Sequence, residues 1–218
     1  MQVLSHRGHW LEASEKNSAA AFRRSFAGGF GTETDIRDCA GRLVIAHDPP
    51  SGNEMELADF LRLHGEYRPA LPLALNIKAD GLQSRLREQC KGLASGSFFF
   101  FDMSVPDMMS YVRESLPVFT RHSDVEEVPV LYDEAIGVWL DDFGGNWLSP
   151  SVIGQHLSAG KQVCIVSPEL HGRSHQAFWR HLAASPVSQE DRVMLCTDFP
   201  REACKLFNER GWEGGPEP

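Results

Sequence analysis

Apolar runs rich in β-branched and aromatic residues alternate along the chain with segments of helical apolar spacing. Strand-like runs cover 3–6, 31–37, 71–78, 97–103, 117–121, 137–142, 162–167 and 192–198. Helical patterns cover 17–26, 55–63, 82–93, 105–112, 150–157, 175–184 and 200–210, and a poorly patterned stretch runs to Glu134 after the fifth strand. The run 98–101 is four consecutive phenylalanines, which suits a strand covered on both faces. Residues 38–41 have turn chemistry and 42–47 return as a hairpin partner of the second strand. Eight strands, each followed by a helix or helix-like connection, predict a closed parallel (β/α)₈ barrel, or TIM barrel, with one extra hairpin after strand two. No internal repeat and no domain boundary interrupts 1–212, and 213–218 read as a frayed tail.

The polar residues gather where such a barrel does its chemistry, at the C-terminal ends of strands. His6 ends the first strand, Asp35 the second, Lys78 the third, Asp102 the fourth and Asp198 the eighth. Glu33 and Asp35 sit at i and i+2 of one strand, so they face the same side and repel unless a cation or a shared proton intervenes. Carboxylate oxygens without a thiolate suit Mg²⁺ or Ca²⁺ better than Zn²⁺. His6 and His47 flank that pair in sequence, an arrangement suited to general acid and general base work on a phosphate ester. Asp48 follows His47 and can orient its ring. Arg7 offers a planar fork that fits phosphate oxygens.

Charge and composition narrow the partners. A formal net charge of −9 in 218 residues argues against nucleic acid and against a general anionic membrane surface, so recognition of a small phosphodiester must rely on local cations. No apolar run approaches a membrane span, and the chemistry begins at His6, which leaves no room for a signal peptide. Five cysteines, with no C-x-x-C spacing, read as reduced core thiols, so a cytoplasmic protein is expected. Nothing in the sequence addresses the oligomeric state.

His6-Arg7-Gly8, Glu33-Thr34-Asp35 and His47-Asp48 together resemble the glycerophosphodiester phosphodiesterase family. Residues 17–22 resemble its helix-one signature, 39–48 its hairpin, 76–78 its strand-three acid and lysine, and 197–200 the end of its eighth strand. The resemblance implies a barrel of the phosphatidylinositol phospholipase C type. It further implies one divalent cation, Mg²⁺ or Ca²⁺, held by Glu33 and Asp35, catalytic histidines at His6 and His47, and phosphate contacts from Arg7 and Lys78.

Three positions depart from the family pattern. Asn76 stands where the family carries its third metal ligand, a glutamate, and an amide oxygen ligates Mg²⁺ or Ca²⁺ without charge, so metal affinity should fall. Lys16 stands where the family has an acid before Asn17. The segment after His47 is short, which leaves the mouth open and the alcohol of the substrate undetermined.

Two other outcomes stay open beside hydrolysis: a phospholipase C- or D-like lyase that stops at a cyclic phosphate, and a barrel that only holds a phosphorylated ligand. Asp102, Asp141, Asp142 and Asp198 read as structural or rim residues. His64, His122, His156, His171, His175 and His181 read mostly as surface positions in helices or loops.

Overall fold

The computed structural model describes residues 1–67 and 71–207; the end of the helix expected over 200–210 and the tail expected over 213–218 lie outside the described residues. In chain order the elements are β1 (Gln2–His6), α1 (Ala19–Ala27), β2 (Gly31–Cys39), β3 (Arg42–Ile45), α2 (Leu57–Tyr67), β4 (Leu73–Ile77), α3 (Gln83–Cys90), β5 (Phe98–Phe101), α4 (Val105–Arg113), β6 (Phe119–Ser123), β7 (Gly137–Asp141), α5 (Pro150–Ser158), β8 (Gln162–Val166), α6 (Gln176–Ala183), β9 (Val193–Thr197) and α7 (Pro200–Phe207).

Eight strands run parallel in the order β5-β4-β2-β1-β9-β8-β7-β6. The two ends of this order meet at one parallel bridge, Phe100 to Val118, where the Phe100 N–H donates to the Pro117 carbonyl at 2.8 Å. The barrel is therefore nearly closed, with a thin seam between β5 and β6. The extra hairpin forms as expected. β3 pairs antiparallel with β2, and the turn residues Ala40 and Gly41 both have positive φ, 48° and 81°, the sign pair a two-residue type I′ turn needs.

Side-chain alternation sorts the strands into an inner and an outer face. Leu4, Ala74, Phe99, Phe101, Phe119, Trp139, Cys164, Val166, Met194 and Cys196 form one buried cluster inside the barrel. Residues one step along, such as Leu73, Leu75, Val138, Leu140, Val163 and Ile165, pack outward in two further clusters with helix residues such as Phe22, Phe60, Ile153 and Trp179. Helix α1 starts at Ala19, with the Ser18 hydroxyl accepting from the Ala21 N–H, two residues later than the sequence pattern suggests. At Gly31 a Cβ would meet Leu4 at 2.3 Å and Pro72 at 2.6 Å, so only glycine lets β2 lie against its neighbours there.

The stretch that is poorly patterned in the sequence stays irregular. Residues 124–136 connect β6 to β7 without a helix. Pro129 lacks the N–H a helix interior needs, and Val125, Val128 and Val130 are stiff at χ1. Instead the Asp124 carboxylate accepts from the Phe143 and Gly144 amides, at 3.0 and 2.6 Å, and pins this loop to the next one.

Candidate functional site

The inner face changes character at the C-terminal end of the barrel. Continuing each strand's alternation past the apolar cluster brings His6 above Leu4, Asn76 and Lys78 above Ala74, Arg121 above Phe119, Asp141 above Trp139 and Asp198 above Cys196. On β2 the inner positions are polar lower down: Glu33 and Asp35 are 2% and 0% exposed. Strand register holds the group together, setting His6 beside Glu33 and Asp35 beside Asn76.

Burial and the neighbouring Asp35 charge push the Glu33 carboxyl up to about 7, against the pull of His6, Arg7 and Lys78. Its charge in turn adds to the burial that raises the Cys164 and Cys196 thiols. Asp35 is better compensated. Arg7 Nε lies 2.9 Å from its Oδ2, Asn17 Nδ2 donates to the same oxygen at 2.9 Å, and Lys78 Nζ lies 3.6 Å from Oδ1. Lys78 also reaches Asp102 at 3.9 Å, and Asp102 pairs with Arg121. A chain of alternating charges, Arg7–Asp35–Lys78–Asp102–Arg121, thus crosses the mouth.

The turn after β1 explains the Arg7-Gly8 pair. Arg7 and Gly8 both take left-handed φ, 59° and 86°, and a Cβ on Gly8 would meet the Ala21 Cβ at 2.8 Å. The bend lets the Arg7 N–H donate to the Glu33 carbonyl at 2.9 Å while the guanidinium turns onto Asp35.

His6 is oriented by a carboxylate. Its Nδ1 lies 2.7 Å from Asp198 Oδ1, and Lys16 Nζ is 3.7 Å from Oδ2 of the same group. Burial works to raise the Asp198 carboxyl, but the hydrogen bond and charge of His6, with Lys16 and Arg7 nearby, outweigh it and hold the group below the usual carboxylate range. An ionised Asp198 that accepts from Nδ1–H leaves Nε2 as the nitrogen able to exchange a proton with a ligand.

His47 stands apart. It follows β3 at the rim, its side chain 45% exposed, and its ring Nδ1 pairs with Asp48 at 2.9 Å. The backbone ties it to the site at one remove, because the Ala46 N–H donates to the Asp35 carbonyl at 3.0 Å. The seven residues expected from sequence therefore fall into two sets: His6, Arg7, Glu33, Asp35, Asn76 and Lys78 share one network, and His47 joins it through the backbone alone.

The oxygen donors fit a divalent cation of the harder kind. Asp35 Oδ1 and Asn76 Oδ1 are buried without a hydrogen-bond partner, and Glu33 lacks a full positive counterpart. Among the described residues no group of three His, Cys, Asp or Glu side chains is placed to hold a metal, and Asn76 adds one amide oxygen beside Glu33 and Asp35. Asn76 Nδ2 donates to Glu33 Oε1 at 3.3 Å, and turning the amide over presents its oxygen instead. Mg²⁺ commonly binds through one or two carboxylates and keeps several waters, which is what this set provides.

Several expectations need correction. Asp198, read as a rim or structural residue, bonds to His6; register sets Ser5 beside Thr197, so the next residue on each strand meets the other. Of the histidines read as surface, His64, His156 and His175 are buried at 0%, 5% and 5% exposure. His64 lies four residues after Phe60 on the apolar stripe of α2 and meets Phe26 edge-on, His156 bonds the Tyr132 hydroxyl, and His175 packs on Trp179. His171, in the connection after β8, bonds Asp141 at the end of the neighbouring β7 at 2.6 Å. Asn17, expected inside the first helix, precedes it with φ 60° and accepts from the Thr34 hydroxyl while donating to Asp35.

Solved structures with this architecture come from several bacteria. A glycerophosphodiester phosphodiesterase from Agrobacterium tumefaciens superposes with TM-score 0.71 at 17% identity, over 95% of this chain and 99% of that one. A phosphodiesterase from Oleispira antarctica, in complex with the product sn-glycerol-3-phosphate, gives 0.67 at 14% identity over 95% and 97%. A Ca²⁺-dependent phosphatidylinositol-specific phospholipase C from Streptomyces antibioticus gives 0.56 at 12% identity over 94% and 95%. The fold is the one these phosphodiesterases share. No protein-family model and no curated protein sequence matches the chain. Among the described residues no helix is long and apolar enough to cross a membrane.

Proposed function

We propose that the protein hydrolyses small phosphodiesters of the glycerophosphodiester type, with a divalent cation, Mg²⁺ or Ca²⁺, held by Glu33, Asp35 and Asn76. The observation that carries this reading is the His6–Asp198 dyad set beside two buried carboxylates and the cations Arg7 and Lys78 at the active end of the barrel. Likeness in fold to enzymes that cleave such esters agrees with it.

In this reading Arg7 and Lys78 bind the phosphoryl oxygens and stabilise the charge that grows on them. Both cations now lie against Asp35, so an arriving phosphate shares them with that carboxylate. A cation held by Glu33, Asp35 and Asn76 would supply Lewis acidity to the reaction. His6 exchanges a proton through Nε2, its tautomer fixed by Asp198. His47, fixed by Asp48 at the rim, serves the other side of the phosphorus. Among the described residues, Cys164 and Cys196 are buried in the barrel core with thiols raised well above their usual value, so neither serves as a nucleophile.

The test is a phosphodiester panel assayed with excess chelator and then with Mg²⁺, Mn²⁺ or Ca²⁺ restored. Turnover that returns with a cation supports the reading, and full turnover in chelator overturns it. Product analysis separates a free phosphomonoester from a cyclic phosphate.

A further inference from the structure

We infer that the seam between β5 and β6 is the subsite for the alcohol half of the diester, and that it takes an alcohol carrying a short unbranched hydrocarbon chain. The inference rests on the phosphodiester reading and names the substrate class for the same site.

Where the barrel nearly closes, β5 and β6 share one bridge at Phe100 and Val118, and beyond it the strands part. Asp102 takes a left-handed φ of 68° there and leaves a cleft of about 280 Å³ between the strand ends, α4 and the loop 124–136. That volume is near the lower end of the ~300–1,000 Å³ of small-molecule sites. The cleft adjoins the proposed phosphate site directly, because Asp102 lines it and also faces Lys78, which in turn faces Asp35.

The lining selects the occupant. Each polar wall group already has a protein partner: the Ser104 hydroxyl donates to Asp80 at 2.6 Å, the Thr120 hydroxyl donates to the Val130 carbonyl at 2.6 Å, and Arg121 pairs with Asp102 and lies 3.4 Å from Glu126. Asp102 and Glu126 balance Arg121 and Lys78 in charge, so neither a cationic nor an anionic alcohol is favoured. What remains to be covered is hydrocarbon at the lip, from Val105 and Val130, over a floor of the buried side chains Met103, Met108 and Phe119. Methionines adapt to a flexible chain. Val105 and Val130 are 48% and 40% exposed at the lip, and the loop continues outward through Val125 and Val128, at 69% and 81%. Side chains this apolar and this wet gain most from an apolar ligand.

The experiment uses the full-length chain with its cation and a series of glycerophospho-n-alkyl esters from methyl to octyl. We expect kcat/KM to rise about fourfold per added methylene, from the ~0.8 kcal/mol gained on burying each one, and to level off once the cleft is full. Val105→Asp and Val130→Asp, both at the exposed lip, should bring the octyl-to-methyl ratio close to one. Calorimetric binding of n-alkyl phosphates, which needs no turnover, should show the same chain-length slope in the wild type and lose it in both variants. Short esters turned over with no chain-length slope in either measurement would overturn the inference and leave the phosphodiesterase reading standing. Chain-length-dependent binding without turnover of any ester would support the cleft and overturn the phosphodiesterase reading.

Discussion

Glu33 gives the protein a pH liability that one substitution can isolate. Its carboxyl is 2% exposed and is raised from about 4.5 to about 7 by burial first and by the Asp35 charge second. A carboxyl whose folded value lies above its unfolded value favours the folded state when protonated, so the cation-free protein is most stable below the unfolded value. It loses stability as pH climbs from ~4.5 to ~7 and is penalised in full above that. Raising the carboxyl from about 4.5 to about 7 costs about 3 kcal/mol above pH 7, of which about 2 to 3 falls between pH 5 and pH 8. Glu33→Gln keeps the shape, can still accept from Asn76 Nδ2, and removes the charge. Urea unfolding of both forms in chelator, at pH 5 and pH 8, measures the difference between their pH slopes, and titrating groups remote from Glu33 cancel in it. The wild type should lose about 2 to 3 kcal/mol more than the variant over this interval. Saturating Mg²⁺ or Ca²⁺ should shrink that excess, because a cation at the site relieves the same repulsion. Parallel slopes in chelator would refute the argument that Glu33 is ionised at a cost at neutral pH.

Other expectations follow from the same geometry. His6→Ala and His47→Ala should each lower kcat by about 10²–10⁴-fold with the fold intact, read by steady-state kinetics and circular dichroism; on a nitrophenyl ester, whose leaving group departs without a proton, the variant lacking the acid should recover and the other should not. If neither histidine matters on any ester, the acid–base assignment is wrong. Asp198→Asn should lower kcat roughly tenfold to a hundredfold with little change in KM, since it frees the His6 ring without touching substrate. Asn76→Glu should tighten Mg²⁺ binding in calorimetric titration, by adding a charged oxygen opposite Asp35; unchanged affinity would place residue 76 outside the coordination sphere. Gly8→Ala should destabilise the protein by at least about 1 kcal/mol in thermal unfolding, because a Cβ there meets Ala21 and the left-handed φ disfavours it.

Local pattern was enough to read the barrel and to say which polar residues gather at its strand ends. Periodicity of two in apolar strands and of three to four in helices marks eight strand positions, and all eight form. The same parity places Glu33, Asp35, His6 and Lys78 on the inward side at strand ends, because alternation is a local property of extended backbone. The hairpin was readable for a similar reason: Ala40-Gly41 between two apolar runs is turn chemistry carried by two adjacent residues. Proline and valines in 124–136, a stretch without clear pattern in the sequence, form a loop. The sequence misled at His64, which lies four residues from Phe60 on an apolar stripe and is core rather than surface. Partnership between strand ends came only with the closed sheet. Asp198 meets His6 from 192 residues away through the register of β9 on β1, and Asp102 links Lys78 to Arg121 at the seam. His47 stays on the rim, wetter than its place in the sequence suggests. Closing the sheet sets which strand ends become neighbours, and that depends on register and on the gap left between β5 and β6, neither of which any single segment encodes.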